Sequence, residues 1–515
     1  MKPNELIQNN YYINIKYGLG QYKGGVIEDG TLYFLFMYDN EEKLYCTPQE
    51  VITDVRKYNS NGQKIILDRL SRTDKWIKKK IAAQKKAKKQ AKELLEIYKE
   101  RLHQKGFQFS KDSFLQKQFE DSCPFKLSSG QKKSLNEIKK DMESNKPMDR
   151  LLIGDVGYGK TEVALRAVLK CVLDHRQAII LTPSKILSHQ HYEEFKDRLK
   201  DYNIRVELLT SQRNKKRTQL LEDIRNGLVD IIIGTHNLVS DSVQYKNLGF
   251  IVIDEEQKLG IVTKEKIKKI SSNIDILSMT GTPIPRTLNL TKLHIRDISV
   301  IDTPPPNKKA PITKGFYWND NKIKFAIERE LNRGGQVFCV DNNIKKLSII
   351  KKQLEQLIPK IRIVIIHGEM KSNEIDDIMV DVLNKKYNLV LATTIIEVGI
   401  TIKNINTIII NEFNMLGLST LCQLRGRIGR SNNNIDSYCI LTYEKDKILD
   451  STAKKRLDIM CKNSYLGSGF EISKQDMEMR GVGELIGTKQ SGQIANGIGM
   501  DYYMELMQNA MEEIS

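Results

Sequence analysis

The chain has 515 residues, which is too long for a single hydrophobic core, so we expect three or four domains. Its hydrophobic content of 40% excludes a largely disordered chain. The formal net charge of +18 favours a polyanionic partner, with nucleic acid ahead of an anionic membrane.

Short strands separated by glycines are predicted at the start of the chain. Residues 11–15, 31–37 and 44–46 are rich in strand-forming residues, and the glycines between positions 18 and 30 are predicted to mark turns. This pattern predicts a small β-barrel over residues 1–60, a type of module that usually binds a partner.

A basic linker is predicted over residues 61–115. One helical pattern extends over 74–103, and it carries nine lysines and no acidic residue between Lys75 and Lys92. Runs of like charge are often only solvated faces, so this helix can be a plain linker. A helix that follows DNA phosphates or docks onto the next domain explains the pattern equally well.

Strand and helix signals alternate in the next two blocks, residues 116–305 and 306–450. The strands predicted in the first block are 150–153, 178–181, 206–209, 231–233, 250–253 and 276–279. The strands predicted in the second block are 336–340, 362–366, 389–392, 407–410 and 437–441. A proline-rich hinge is predicted at 303–307, and residues 451–515 read as helical with glycine interruptions.

A glycine-rich octapeptide, Gly-Asp-Val-Gly-Tyr-Gly-Lys-Thr, lies between a strand signal and a helical pattern and matches G-x-x-x-x-G-K-[ST]. Gly154, Gly157 and Gly159 allow backbone N–H groups to converge on phosphate oxygens. Lys160 is predicted to reach the β- and γ-phosphates, and Thr161 to ligate Mg²⁺. The sequence therefore predicts that ATP and Mg²⁺ bind in the cleft between two α/β domains.

A carboxylate pair follows the apolar run 250–253. Asp254 is the predicted Mg²⁺ partner, and Glu255 is the predicted base that orients the attacking water. Two residues ahead of the first strand are candidates for the adenine site, Phe125 by stacking on the ring and Gln131 by reading its edge. Phe125 fits a hydrophobic core equally well.

An arginine-rich segment, Gln-Leu-Arg-Gly-Arg-Ile-Gly-Arg, ends at Arg430. Arg427 and Arg430 lie three positions apart, which places them on one face of a predicted helix. If the two blocks close, this face can meet the phosphates as arginine fingers. Residues 280–283 follow another apolar strand, and their hydroxyl side chains are candidates for sensing the γ-phosphate.

In this order the motifs resemble those of the superfamily 2 helicases, and more closely the family of bacterial transcription-repair coupling factors, which is related to RecG. The segments that carry the resemblance are 146–164, 254–260, 281–288, 295–305, 393–400 and 423–430. The resemblance implies an α/β fold with two tandem RecA-like P-loop domains, preceded by the β-barrel and linker helix and followed by a helical-hairpin translocation motif. It also implies an ATP hydrolase that moves on double-stranded DNA without separating its strands.

The end of the chain resembles the translocation motif that the coupling factors share with RecG. The resemblance implies that Arg456, Arg480 and Gln490 belong to a hairpin that couples ATP hydrolysis to stepping on DNA. The DNA contacts that it implies, mostly to phosphates, are Thr182, Ser184, Thr235, His236 and Thr394. A purely structural role for His236 stays open.

Segments 17–22 and 38–48 resemble the RNA-polymerase-interacting domain of the coupling factors, so residues 11–57 are expected to bind RNA polymerase. RecG has a wedge domain instead, which this sequence does not show. The sequence lacks the family's UvrB-like N-terminal module and its C-terminal restraining domain, which makes UvrA binding doubtful but leaves polymerase displacement intact. Thr401 replaces a family aspartate and is expected to weaken the coupling between hydrolysis and DNA, and Gly281 replaces a family alanine.

The predicted function is an ATP-dependent translocase on double-stranded DNA that displaces stalled transcription complexes, as in transcription-coupled repair. We expect a monomer in the cytoplasm or in an organelle-like compartment. The seven cysteines show no disulfide or zinc spacing, and no apolar run approaches the length of a membrane span. The alternatives are a RecG-like helicase that remodels forks and branches, and a polymerase-binding scaffold with a decayed motor.

Overall fold

The computed structural model describes the chain except for residues 1, 59–64, 103, 124–125, 210–214, 282–295, 306–308, 395–401, 403, 430–434, 446–448, 466, 469–471, 473–474, 476–497 and 515. The described residues form two compact units. The first contains the described parts of 1–103, 284–296 and 474–515, and the second contains those of 104–283 and 297–473. Within these parts of the chain, no helix combines the length and the apolar character that a membrane crossing requires.

The first unit contains a five-stranded antiparallel sheet in the order β4-β3-β2-β1-β5. Its elements are β1 (Tyr11–Asn14), β2 (Gly18–Glu28), β3 (Thr31–Met37), β4 (Lys43–Cys46), α1 (Pro48–Asp54) and β5 (Val55–Lys57). One face buries an aromatic cluster in which the rings of Tyr22 and Phe36 both meet Tyr12 edge to face. The described strands thus form an antiparallel sheet at the start of the chain, where the sequence predicted a small β-barrel, and β4 and β5 lie at opposite ends of its hydrogen-bonded order.

The long strand β2 runs through four glycines at positions where the sequence predicted turns, and two of them have clear roles within the strand. Gly24 has a φ of +134° and lies where the register with β3 shifts, so it forms a β-bulge. A Cβ on Gly20 would lie 2.8 Å from the ring of Tyr38. These glycines therefore serve a bulge and a close ring contact within one strand, and the prediction of turns at these positions was wrong.

The basic helix α2 (Asp74–Leu102) packs against the helix α14 (Met500–Ile514) within the first unit. The α2 residues buried at this contact are Trp76, Ala83, Ala87 and Ala91. Small alanines allow the two helices to approach closely, and the Trp76 and Tyr502 rings stack with their centroids 6.4 Å apart. The helix is therefore a packed element with an apolar stripe, and its lysines lie mainly on the exposed faces.

The second unit begins with a seven-stranded parallel sheet in the order β12-β6-β11-β10-β7-β9-β8. Its strands are β6 (Asp149–Gly154), β7 (Gln177–Leu181), β8 (Val206–Leu209), β9 (Ile231–Gly234), β10 (Leu248–Asp254), β11 (Asp275–Thr280) and β12 (Asp297–Ile301). The helices along this part are α3 (Phe114–Asp121), α4 (Ser129–Met142), α5 (Lys160–Leu173), α6 (Lys185–Leu199), α7 (Lys215–Asn226) and α8 (Ile261–Ile270). Ile179 and Ile180 enter separate cores, so the sheet is buried on both faces.

A second parallel sheet has the order β13-β18-β17-β14-β16-β15. Its strands are β13 (Ile312–Tyr317), β14 (Gln336–Val340), β15 (Ile363–Ile366), β16 (Leu389–Ala392), β17 (Ile405–Ile410) and β18 (Tyr438–Tyr443). The helices along this part are α9 (Asp320–Asn332), α10 (Ile344–Leu357), α11 (Ser372–Leu383), α12 (Leu418–Arg425) and α13 (Ser451–Lys462). The predicted pair of tandem α/β domains is confirmed.

Candidate functional site

The phosphate-binding loop connects the carboxyl end of β6 to the start of α5. Gly157 and Gly159 have φ values of +77° and +72°, in the left-handed region that favours glycine. Gly159 is the N-cap of α5, and a Cβ on it would collide with the side-chain amide of Gln131. The loop therefore presents backbone N–H groups at the N-terminus of a 14-residue helix, an arrangement that attracts phosphate.

Lys160 folds over this loop. Its Nζ donates hydrogen bonds to the Gly154 carbonyl at 2.7 Å and to the Asp155 carbonyl at 3.2 Å. The ammonium group thus lies in the concavity of the loop, where the β- and γ-phosphates of a bound nucleotide are expected. Thr161 follows in the first turn of α5.

Replacing Gly159 by alanine is expected to weaken nucleotide binding by at least about tenfold, since the left-handed backbone costs alanine roughly 1–2 kcal/mol. The added methyl group would also collide with Gln131. Gly334→Ala is the matched control, because Gly334 has a φ of +76° and nothing lies within 4 Å of an added Cβ. Titration with a fluorescent ADP measures both affinities. Wild-type affinity in Gly159→Ala would contradict this account of the loop.

Two carboxylates end the strand β10 beside the loop. Asp254 is the last residue of the strand and is buried, and Glu255 follows with a φ of +48°. A non-glycine residue in this backbone region is strained, and such strain is often retained at functional sites. A Cβ built on Gly281 would lie 3.6 Å from Lys160 Nζ and 3.8 Å from Glu255 Oε1, so the ammonium and this carboxylate converge on one point.

Asp254 has a partner that the sequence analysis did not identify. The Nε2 of His191, on α6, donates a hydrogen bond to Asp254 Oδ2 at 2.9 Å, and both side chains are buried. Burial alone would lower the pKa of His191, but the hydrogen bond and charge of Asp254 outweigh it, so the net change is upward. Burial alone would raise the pKa of Asp254, but the hydrogen bond and charge of His191, with the charge of Lys160, lower it.

The residues present fit Mg²⁺ delivered with a nucleotide. Among the described residues, no group of three or more histidine, cysteine, aspartate or glutamate side chains is arranged to hold a metal alone. In nucleotide sites Mg²⁺ usually takes one or two protein oxygens, and phosphates and water supply the rest. The hydroxyl of Thr161 and the carboxylate of Asp254 are oxygen donors of this kind.

Gln131, a candidate for reading adenine, connects the start of α4 to the phosphate-binding loop through the two ends of its side-chain amide. Its Oε1 accepts a hydrogen bond from the Ser128 backbone at 2.7 Å, which completes the cap of α4. Its Nε2 donates to the Tyr158 carbonyl at 2.9 Å. Phe125, the other adenine candidate, lies outside the described residues.

Arg427 does not lie on a helix, contrary to our prediction for the arginine pair. Helix α12 ends at Arg425, so Arg427 lies in the turn that follows, and Arg430 lies outside the described residues. The break has a physical reason, because Gly426 and Gly429 follow and Gly429 adopts a φ of +69°. A Cβ on Gly426 would lie 2.6 Å from the Val156 Cβ, so this turn packs against the phosphate-binding loop.

Arg425, which precedes this turn, was not singled out from the sequence. Its guanidinium donates to the Asn463 carbonyl at 2.9 Å, to the Met460 carbonyl at 3.2 Å and to Ser468 Oγ at 2.8 Å. These bonds tie the end of α12 to the end of α13 and to the segment that leads towards residue 469. Three arginines within six positions could have drawn attention to this segment as a whole, but not to the partners of each one.

The candidate DNA contacts of the first sheet follow two adjacent strands at their carboxyl ends. Thr182 follows β7, and its backbone N–H donates to the Gly234 carbonyl of β9 at 2.9 Å. Thr182 is buried and its hydroxyl bonds to Ser188 at 2.6 Å, whereas Ser184 caps α6. Thr235 and the exposed His236 follow β9. These residues therefore share one edge of the sheet.

Of the remaining candidates for DNA contact and translocation, some belong to the part of the chain that the structure describes and some do not. Thr394 follows β16 in the second sheet. Arg456, on α13, donates to the Asn414 carbonyl at 3.0 Å, which anchors the helix to the loop after β17. Arg480 and Gln490 lie outside the described residues, and so does Thr401, the residue that replaces a family aspartate.

Known protein families match both α/β domains of the second unit. The DEAD/DEAH box helicase family matches residues 128–291, and the helicase conserved C-terminal domain matches residues 321–432. The phosphate-binding loop, the paired carboxylates and these two matches define the class of protein. It is an ATP-hydrolysing helicase or translocase of superfamily 2.

Full-length comparisons specify the family within this class. The transcription-repair-coupling factor of Bacillus subtilis (strain 168) is 42% identical over 519 residues, which covers 99% of this chain and 43% of the relative. A Staphylococcus epidermidis relative of the same name is 40% identical and is covered to 44%. The structure of RecG bound to a three-way DNA junction is 25% identical, with a TM-score of 0.70 over 99% of this chain and 79% of RecG. The chain belongs to the transcription-repair coupling factor family and spans less than half the length of these curated relatives.

Proposed function

We propose that this protein is an ATP-dependent translocase on double-stranded DNA that binds RNA polymerase and displaces stalled transcription complexes. One observation carries the motor part of the proposal, namely that the phosphate-binding loop contacts both the second α/β domain and the segment that follows it, at one point each. The first is the packing of Gly426 on Val156, and the second is at Tyr158, whose Oη would lie 2.9 Å from a Cβ on Gly467. A change at the loop can therefore be transmitted to the second domain, as a motor requires.

The hydrolytic step follows from the groups around the loop. The loop amides and Lys160 hold the phosphates, and Glu255 orients a water and accepts its proton as the water attacks the γ-phosphorus. The bond between this phosphorus and the bridging oxygen breaks, and ADP leaves. Thr161 and Asp254 would hold Mg²⁺, which would neutralise phosphate charge when bound with ATP. Arg427 stabilises the negative charge that spreads over the transferred group.

Several of the proposed roles belong to residues outside the described parts of the chain. Phe125 is proposed to stack on adenine next to Gln131, and Arg430 to act as a second arginine finger. Arg480 and Gln490 are proposed to form the translocation hairpin with Arg456. We further propose that the functional segments are 1–60, 61–115, 116–305, 306–450 and 451–515.

Coupling to DNA is proposed to run through the end of α13. Arg425 bonds to both Asn463 and Ser468, and Gly467 lies against the loop residue Tyr158. The segment that enters the proposed translocation hairpin is thus held from two sides, by the turn of the arginine finger and by the loop. A movement of either one on hydrolysis would displace the hairpin.

Binding to duplex DNA is expected to depend strongly on salt and little on sequence, because the proposed contacts are to phosphates. A protein that neutralises six to ten phosphates with lysine or arginine loses about 10³–10⁵-fold in affinity between 50 and 200 mM salt, and the net charge of +18 leads us to expect a loss in this range. Fluorescence anisotropy with two duplexes of equal length and unrelated sequence measures both properties. A salt-independent affinity, or a large difference between the two duplexes, would contradict phosphate-dominated binding.

The sheet of the first unit is the proposed RNA polymerase-binding surface, over residues 11–57. Ile27 and Leu32 lie opposite each other on β2 and β3 and are 73% and 43% exposed. Strand β4 lies at an edge of the sheet. Exposed apolar side chains and an edge strand are both features on which protein partners bind. We propose that the protein acts as a monomer.

Displacement of a third DNA strand from linear duplex tests translocation directly. The proposal predicts ATP-dependent displacement of the triplex strand and little unwinding of a three-way junction. The likeness to RecG bound to a three-way junction makes branch remodelling the second candidate function. Unwinding of the junction without displacement of the triplex strand would favour that candidate and refute ours.

A further inference from the structure

The buried hydrogen bond between His191 and Asp254 connects the middle of α6 to the nucleotide site. Leu187, His191 and Phe195 recur at four-residue spacing on the buried face of this helix. The histidine thus occupies a position where an aliphatic side chain would be ordinary. Its Nε2 bonds to Asp254, and no hydrogen-bond partner of Nδ1 is found among the described residues.

A buried nitrogen without a partner costs stability, so packing alone does not explain a histidine at this position. What the histidine provides is a donor for Asp254, the carboxylate proposed to hold Mg²⁺. When a fixed donor holds one oxygen of a carboxylate, the orientation of the whole carboxylate plane is restricted as well. Outer hydrogen bonds of this kind orient ligands and tune their affinity for a metal.

The N-terminal end of the same helix carries the candidate DNA contacts. Ser184 caps α6, and Thr182 bonds through its hydroxyl to Ser188 in the first turn. Ser184 and His191 are seven residues apart, which is two helical turns or about 10 Å along the axis. A force on the cap is therefore transmitted to His191 by a rigid element.

We propose that His191 is a positioning residue that holds Asp254 in the orientation needed for Mg²⁺–nucleotide, and that α6 links this orientation to DNA bound at its N-terminus. The inference rests on the proposed function, because it uses the proposed Mg²⁺ and DNA contacts. The proposal predicts that loss of the His191 donor weakens the effect of Mg²⁺ and of DNA on ADP affinity, while phosphate binding by the loop stays intact.

A matched pair of variants isolates the donor. His191→Gln keeps an amide N–H at a similar reach, and His191→Met is close in size but donates nothing. His189→Met is the control for the substitution itself, because His189 is an exposed residue of the same helix. Each protein is titrated with fluorescent ADP in EDTA and in Mg²⁺, with and without duplex DNA, so that no turnover is needed.

In EDTA, all four proteins are expected to bind ADP equally. In Mg²⁺, His191→Met should lose about 10–100-fold of the tightening that Mg²⁺ gives the wild type. DNA should change the ADP affinity of wild type, His191→Gln and His189→Met, and should leave that of His191→Met unchanged. Reciprocity of coupling requires ADP with Mg²⁺ to change DNA affinity by the same factor in each protein.

Wild-type Mg²⁺ tightening in His191→Met would overturn the proposal. Equal loss in His191→Gln and His191→Met, with weaker binding in EDTA as well, would overturn it in favour of a purely structural histidine. Failure of this proposal can be distinguished from failure of the proposed function. If the wild type does not displace a triplex strand, the effect of Mg²⁺ on ADP affinity can still be measured in the wild type and in the His191 variants.

Discussion

Replacing Arg427 by alanine is expected to lower the maximal rate of ATP hydrolysis by about 10³–10⁵-fold, the range typical of an arginine finger. Arg427 is buried and follows directly after Gly426, which packs on Val156 of the phosphate-binding loop. Its proposed contribution is made to the charge of the transition state, so the affinity for ADP should change little. Steady-state hydrolysis and fluorescent-ADP titration measure the two quantities separately.

The control for this variant is Arg362→Ala. Arg362 is an exposed arginine of the second α/β domain that directly precedes β15, and its backbone and side chain bond to Asn388. Its removal should leave hydrolysis close to that of the wild type. A hydrolysis rate in Arg427→Ala within tenfold of the wild type would show that Arg427 does not stabilise the transition state.

Replacing Glu255 by glutamine is expected to slow hydrolysis by about 10²–10⁴-fold, the usual cost of removing a general base. The amide has the shape of the carboxylate but cannot accept the proton of the attacking water. ATP binding should persist, since the loop and Lys160 are unchanged. Single-turnover hydrolysis after binding of ATP measures the chemical step alone.

Glu256→Gln is the neighbouring control, because it makes the same change of charge one residue further along, at the first position of the short helix Glu256–Lys258. Its rate should stay close to that of the wild type. If the two variants were slowed to the same extent, the effect would belong to the local field of the acidic turn, and Glu255 would lose its assigned role.

The parts of the fold that could be predicted are those in which sequence pattern and burial coincide. Strands such as β9 and β14 are covered on both faces and therefore appear as continuous apolar runs. The edge strands β12 and β13 were missed, because each is only partly buried and alternates with polar residues. The glycines of β2 were misread because a glycine in a bulge or against a ring has the same one-letter signal as a glycine in a turn.

The chemical residues of the candidate site were predicted better than their surroundings. The glycine loop, Lys160 and the two carboxylates lie together because a short motif specifies a strand, a tight loop and a helix start. The helical face assigned to Arg427 was wrong, because Gly426 and Gly429 break the helix where the turn meets the loop. His191 and Arg425 were not identified, because their partners lie far away along the chain. Asp254 is 63 residues from His191, and Asn463 and Ser468 are 38 and 43 residues from Arg425.

The central claim is that hydrolysis at the phosphate-binding loop drives displacement of RNA polymerase. The most direct test is the release of a stalled RNA polymerase from a DNA template, measured with and without ATP for the wild type and for Lys160→Ala. The account predicts release that requires ATP in the wild type and is absent in Lys160→Ala, because the ammonium group in the loop is needed for hydrolysis. Release that persists without ATP or in Lys160→Ala would contradict the claim, and so would DNA-stimulated ATP hydrolysis without any release.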